Sequence, residues 1–178
     1  ASELPPRVFQ PTHVNRRRAL FDEAIALAKG GSHVDVTAFP VAEDEDAWDA
    51  ATAVIRYLDS GAPPERLSVS SDGGGCLPTF DAEGRVAAMG VGEPGSLPVT
   101  LAELVARGVP LATALLPFTS NPARLLRLPG KGHIAVGADA DLVVLDSNGG
   151  IHDVMCGGRW QVRAGRVQVT GTFESERS

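Results

Sequence analysis

Two short stretches combine residue types that can do chemistry with places where expected strands end: Pro11-Thr12-His13-Val14-Asn15-Arg16 and Ser70-Ser71-Asp72-Gly73. An imidazole and a carboxylate are both ligands for one divalent-metal centre. The glycines after Asp72, Gly73-Gly74-Gly75, let backbone approach a ligand closely because no Cβ intrudes. The same residues also fit plainer roles. His13 suits the surface beside a helix, and Asp72 suits a loop where its carboxylate accepts backbone N–H groups. Residue type and spacing leave both readings open.

The elements that would position these residues follow from the hydrophobic pattern. Arg7–Thr12 reads as a short extended run, with Pro11 biasing Gln10 towards extended geometry and leaving His13 at the strand's C-terminal edge. Ala19, Leu20, Ala24, Ile25, Leu27 and Ala28 recur at helical spacing, and Gly30-Gly31 stops that helix. His33–Phe39 alternates as a strand. Acidic Glu43–Asp46 suit the start of a second helix, Trp48–Leu58. Arg66–Ser71 is the third strand and runs into Asp72. An irregular segment with a hairpin at Asp81–Gly84 leads to helical patterns over Pro98–Arg107, Leu111–Leu116 and Asn121–Leu126. Strands alternating with helices predict a parallel α/β sheet or barrel. Its catalytic face would be formed by C-terminal strand ends, where both motifs stand. The character changes at Leu128. From Gly132 onward the chain reads as short strands, Ala140–Leu145, Ile151–Cys156, Arg159–Ala164 and Arg166–Thr170, separated by glycine-containing turns.

Composition limits the function classes. At 178 residues the chain is shorter than the ~250 residues of a complete (β/α)8 barrel. Its net charge of −6 argues against nucleic acid, and Arg16-Arg17-Arg18 is too short a basic cluster to reverse that. No apolar run approaches the ~18 residues needed to span a bilayer. The two cysteines, Cys76 and Cys156, form no CxxC pair, which fits a reducing, cytoplasmic setting. The start at Ala1, with no charged-then-apolar leader, reads as a truncation or a processed end.

PTHVNR, SSDGGG and above all Gly130–Asp146 (GKGHIAVGADADLVVLD), followed by the Gly157–Gly165 hairpin, resemble signatures of the amidohydrolase superfamily. Together with the terminal Gly171–Glu174 (GTFE), they are specifically similar to bacterial isoaspartyl (β-aspartyl) dipeptidases. The resemblance runs from about Pro11 to Glu174. It implies an α/β fold in which residues 1–128 are the C-terminal βα units of a (β/α)8 barrel, strands 6 to 8, and residues 129–178 are strands of a small β-sandwich. His13 would be the metal ligand of the sixth strand. Asp72, ending the eighth, would ligate the other metal of a binuclear zinc site and act as general base. Arg16 matches the family's substrate-binding arginine, whose planar fork suits a dipeptide bearing free carboxylates. A solvated arginine at a helix start is the plainer alternative, and Arg17 and Arg18 are expected in solvent. Where the family places a serine four residues after the metal aspartate, this chain has Cys76, a weaker hydrogen-bonding group in a substrate-binding position.

The resemblance also implies what is elsewhere. A His-x-His pair, a carboxylated lysine and a fifth-strand histidine have no counterpart in this sequence. A lone His and Asp cannot close a binuclear centre, and two or three barrel strands leave open edges. The expectation is therefore an enzyme half, inactive alone, partnered by the missing N-terminal half in a homo-oligomer. Competing readings are another amidohydrolase (dihydroorotase-, hydantoinase- or deacetylase-like) and a non-catalytic fragment. His33, His133 and His152 are weaker candidates, taken as rim or surface residues. Asp139 and Asp141 look turn-forming. Asp35, on the central strand, fits either a residue behind the ligands or a buried hydrogen-bonded carboxylate.

Overall fold

The computed structural model describes residues 3–81, 83–147 and 149–171. It divides into two compact units, Ala1–Pro122 and Ala123–Ser178, parting ahead of the composition change at Leu128. Among the described residues no helix is long and apolar enough to cross a membrane.

The first unit is built on two parallel strands, β1 (Val34–Thr37) and β2 (Leu67–Ser70), each preceded by a helix: α1 (Arg18–Lys29) and α2 (Ala50–Asp59). Alternation along a strand sends successive side chains to opposite faces. Val34 and Val36 are register partners of Leu67 and Val69, and all four join one apolar core with Phe21, Ala24 and Ala28 of α1 and Ala53, Val54 and Tyr57 of α2. The other face carries Asp35 opposite Ser68 and Thr37 opposite Ser70. All four residues of β1 are buried, as in a parallel strand covered on both sides. The two faces thus separate an apolar packing layer from a polar interior layer.

The helix ends follow local chemistry. Phe21, Ala24 and Ala28 lie on one face of α1, and Gly31 leaves it at φ +105°, open to glycine without strain. Asp49 accepts from the Thr52 N–H at 2.8 Å and caps α2, so the carboxylate that starts this helix lies beyond the acidic run Glu43–Asp46. After β2 the chain forms an antiparallel hairpin, β3 (Cys76–Phe80) and β4 (Val86–Val91), more ordered than the irregular segment expected. Its turn is held by Asp81, which accepts from the N–H groups of Glu83 and Arg85. Helices α3 (Ser96–Ala106) and α4 (Leu111–Ala114) follow, and α5 (Ser120–Leu125) runs across the division between the units.

Two expectations need correction. Arg7–Thr12 is not a strand. Pro6 sits in the first turn of a 3-10 helix at Pro6–Val8, and the extended stretch beyond it gives β1 a single backbone bond, Asp35 N–H to Pro11 C=O at 3.0 Å. One such bond makes no ladder, so the segment stays extended without forming a strand. Arg18 is not merely solvated. Its guanidinium stacks 4.3 Å above Trp48, whose ring also lies 4.2 Å from Arg56.

The second unit holds an antiparallel four-stranded meander: β5 (Leu142–Leu145), β6 (Ile151–Cys156), β7 (Arg159–Arg163) and β8 (Arg166–Val167). It is a single sheet among the described residues, and Val143, Val144, Ile151 and Val167 are exposed on it. Asp139 and Asp141 both pair with Lys131, and Asp141 also accepts from the Gly157 N–H. The ammonium of Lys131, then that amide, holds the Asp141 carboxyl below the usual carboxylate range. Both aspartates therefore secure turns.

One side chain ties the first motif to the sheet. Asn15 is fully buried. Its Oδ1 accepts from the Thr37 N–H at 2.9 Å, while its Nδ2 donates to Thr37 C=O at 3.0 Å and to Trp48 C=O at 2.8 Å. The Trp48 N–H donates in turn to Asn15 C=O at 2.9 Å. Asn15 therefore satisfies both backbone groups of Thr37 at the end of β1, where the ladder stops. Truncation, Asn15→Ala, strands those groups in a buried position and is expected to cost about 3 kcal/mol of stability. Urea unfolding monitored by circular dichroism measures it, and a loss below about 1 kcal/mol would contradict the clamp.

Candidate metal centre

His13 follows the extended segment and takes a left-handed conformation, φ 56° and ψ 28°. The turn is closed by Arg16 N–H donating to His13 C=O at 3.1 Å. Non-glycine residues enter this region at a cost of ~1–3 kcal/mol, borne where surrounding contacts dictate it. Here the contacts are Asn15 on the following residues and Thr37 on the ring: His13 Nδ1 lies 2.7 Å from Thr37 Oγ1. Its Nε2 takes no hydrogen bond among the described residues.

Asp72 is also left-handed, φ 49°. Glycines enclose it. The Gly75 N–H donates to Asp72 C=O at 2.8 Å, and Gly73 bridges to Gly92 at the base of the hairpin. A Cβ on Gly92 would lie 2.1 Å from the Asp72 carbonyl oxygen, and one on Gly75 would lie 2.5 Å from its Oδ1. The loop can therefore close on Asp72 only without side chains at these positions.

Thr37 and Ser70 are register partners at the C-terminal ends of β1 and β2. His13 bonds to the first, and Asp72 follows the second by two residues, so both stand at the same end of the sheet. Arg16 joins them. Its Nη2 is 3.6 Å from Asp72 Oδ2, its guanidinium lies 5.0 Å from the Phe39 ring centre, and its Nε is buried without a hydrogen bond. Both partners are about one-third exposed, so this is a half-buried ion pair rather than an arginine in open solvent. Cys76 begins β3, exposed, and Val91 is its register partner. Among the described residues no side-chain hydrogen bond joins it to His13 or Asp72.

The remaining histidines lie apart. His33 is buried at the opposite end of β1 from Thr37. His133 is exposed with Nδ1 3.0 Å from Lys131 C=O, and His152 is exposed with Nδ1 2.8 Å from Asp153. Among the described residues no group of three or more His, Cys, Asp or Glu gathers to hold a metal ion. The donor set of His13 and Asp72 still fits a share of one. The ring is anchored through Nδ1 with Nε2 left over, and the carboxylate is balanced by a cation that a metal can replace.

Thr37, Ser70 and Asn15 went unrecognised in the sequence. Asn15 offered a signal, a polar residue that cannot be left unpaired if the turn is buried. Thr37 and Ser70 offered none, because hydroxyl residues are ordinary in strands. Thr172, Phe173 and Glu174 of the terminal motif lie outside the described residues.

The chain belongs to the amidohydrolase family, whose model matches residues 13–161. Its fold is accordingly part of a (β/α)8 barrel followed by a small β unit. Among solved structures it is similar to the β-aspartyl dipeptidase of the thermophilic keratin degrader Fervidobacterium islandicum AW-1 in complex with β-Asp-Leu dipeptide. That match has 31% identity and a TM-score of 0.85 over 96% of this chain and 44% of that one. A second structure of the same dipeptidase aligns at 30% identity and a TM-score of 0.78, over 96% and 42%. An adenosine deaminase from Xanthomonas campestris with bound zinc shares the fold at 19% identity and a TM-score of 0.55, over 92% and 39%. The chain thus spans less than half the length of the dipeptidase chains it matches.

The enclosure of Asp72 can be checked directly. Gly92→Ala is expected to displace the Asp72 loop and to cost about 1–3 kcal/mol. A crystal structure of the variant with Asp72 unmoved, or parental stability in thermal unfolding, would count against it.

Proposed function

We propose that this chain contributes His13 and Asp72 to a binuclear zinc centre, completed by ligands outside it, that hydrolyses β-aspartyl dipeptides. The carrying observation is the shared strand end: an imidazole with one anchored nitrogen, and a carboxylate paired to an arginine. The similarity to a dipeptidase structure over 96% of the chain supports the substrate class.

Bound divalent metal supplies a Lewis acid for the amide carbonyl and lowers the pKa of water. The chain's own residues do the rest. Asp72 accepts the proton of the attacking water and returns it to the departing amine, which leaves as a neutral amino group. Its left-handed loop, closed by Gly75, holds the carboxylate at a fixed place during both transfers. Arg16 balances Asp72 in this structure and has further donors for a substrate carboxylate. Stacking on Phe39 limits where the guanidinium can move. Cys76, on the strand leading out of the glycine loop, borders the substrate as a weak donor.

With two ligands from this chain, the metal centre and activity belong to an assembly that includes the complementary half. Calorimetric titration of the isolated chain with zinc is expected to show weak binding or none, and two tight sites would contradict the shared centre.

In the assembled enzyme, Asp72→Asn is expected to lower kcat at least ~100-fold, because the water loses its base. Near-normal turnover with metal bound would sink the assignment. Arg16→Lys keeps the charge without the bidentate fork, so it should raise KM for β-Asp-Leu with a smaller change in kcat. Arg16→Ala leaves a substrate carboxylate unpaired and should cost more, ~2–5 kcal/mol in binding. Steady-state kinetics on β-Asp-Leu beside a cyclic amide separate this reading from a dihydroorotase- or hydantoinase-like one. Parental constants in both variants would remove Arg16 from substrate recognition.

A further inference from the structure

Behind His13 lies a group that the proposed reaction does not use. Asp35 is buried in the middle of β1 on the polar face, and three hydroxyls converge on it: Thr12 Oγ1 at 2.8 Å, Ser70 Oγ at 2.6 Å and Ser68 Oγ at 2.6 Å. Ser70 is 3.5 Å from Thr37 Oγ1, and Thr37 Oγ1 is 2.7 Å from His13 Nδ1. We propose that Asp35 is a positioning residue that, through Ser70 and Thr37, fixes the tautomer of His13 so that Nε2 presents its lone pair at the strand-end mouth.

The direction of each bond follows from a count of protons. A carboxylate only accepts, so each hydroxyl facing Asp35 spends its single proton on it. Ser70 then has lone pairs alone to offer Thr37. Thr37 must donate to Ser70, which spends its own proton in turn. At the far end Thr37 can only accept, so neutral His13 carries its proton on Nδ1 and donates it. Nε2 is left bare, the form in which imidazole binds a cation. Each hydroxyl alone is ambiguous, and the carboxylate at the origin settles the direction of every bond. The 3.5 Å step between Thr37 and Ser70 is the longest of the series and the natural place to break it. Asn15 contributes by holding the Thr37 backbone, so that the hydroxyl stays between its two partners. Thr12 adds a second tie, since it precedes His13 and is bonded to the same carboxylate oxygen as Ser70.

The inference rests on the proposed metal role of His13 only for its purpose. The tautomer itself is observable without metal. The experiment is 15N NMR of the metal-free full chain, labelled on histidine and held at alkaline pH. The parent and Thr37→Ser should show two well-separated ring signals, the protonated nitrogen being Nδ1 and the bare one Nε2. Thr37→Val removes the acceptor, so its two signals should draw together as the tautomers mix, and Ser70→Ala frees Thr37 to donate, so the protonated signal should move to Nε2. Asp35→Ala tests the origin directly. Should it fail to fold, Ser70→Ala, which leaves Asp35 its other two hydroxyls, decides the matter. Unchanged Nδ1–H signals in Ser70→Ala would overturn the proposal, because Thr37 would then act without the carboxylate. Zinc affinity of the intact protein is the second readout, expected to fall about 10- to 100-fold in Ser70→Ala. A changed tautomer with unchanged affinity would support the relay and remove His13 from the metal ligands.

Discussion

The candidate site depends on how the end of β1 is finished. A parallel strand that leaves its ladder exposes an N–H and a C=O that no neighbouring strand will pair, and inside a protein those groups must be satisfied. Asn15 meets both on Thr37 with one planar amide, and its second amide hydrogen holds the segment before α2 through Trp48. Three pieces of chain distant in sequence are thereby fixed at one point: the His13 turn, the strand end and the entry to α2. Removing that amide would loosen all three together, leaving the backbone bonds from Trp48 N–H to Asn15 C=O and from Ala38 N–H to Ser70 C=O to hold the junction.

From this junction the polarity of the sheet takes over. Val34, Val36, Leu67 and Val69 pack the outer face against α1 and α2, whereas Asp35, Ser68, Thr37 and Ser70 fill the inner one. A buried carboxylate is costly unless its lone pairs are taken up, and three hydroxyls do so here. The same hydroxyls lead outward to the ring of His13. Asp72, across the strand pair, is balanced differently, by the guanidinium of Arg16 at half-buried depth. One carboxylate is held by neutral donors deep in the sheet and the other by a half-buried guanidinium at its rim. Only the second is placed to exchange its partner for another charge.

Much of the scaffold was legible in the sequence because it rests on periodicity. The helical spacing of Ala19, Leu20, Ala24, Ile25, Leu27 and Ala28, the alternation across His33–Phe39 and the glycine breaks of the C-terminal strands are local properties of the chain, although Leu20 and Leu27 are exposed and Phe21, outside that spacing, is buried. His13 and Asp72 stood out as metal-ligating types at expected strand ends, and Arg16 through the family resemblance. The Arg7–Thr12 segment is strand-like in composition, whereas among the described residues one backbone bond, Asp35 N–H to Pro11 C=O, joins it to β1. The positions of Thr37 and Ser70 became meaningful only with the register that sets them opposite each other, and register between strands separated by a helix is not a local property. Asp35 announced itself as a charge amid valines, but its three partners came from segments far away in sequence. Stacking of Arg18 and Arg56 on Trp48 was likewise tertiary in origin.

The hairpin between β2 and α3 has uneven freedom along its length. At its base Gly75 and Gly92 are pressed against Asp72 and Gly73 against Pro94, with no room for a single added carbon at Gly75 or Gly92. At its tip the turn closes through bonds among Asp81, Glu83, Gly84 and Arg85 at the surface. Lineage change can therefore accumulate at one end while the other stays frozen. Insertions at the tip would lengthen the arm or add new surface without moving the carboxylate at its root. The hairpin behaves as a grafting point: its outer half is open to novelty and its inner half is pinned by glycines against Asp72.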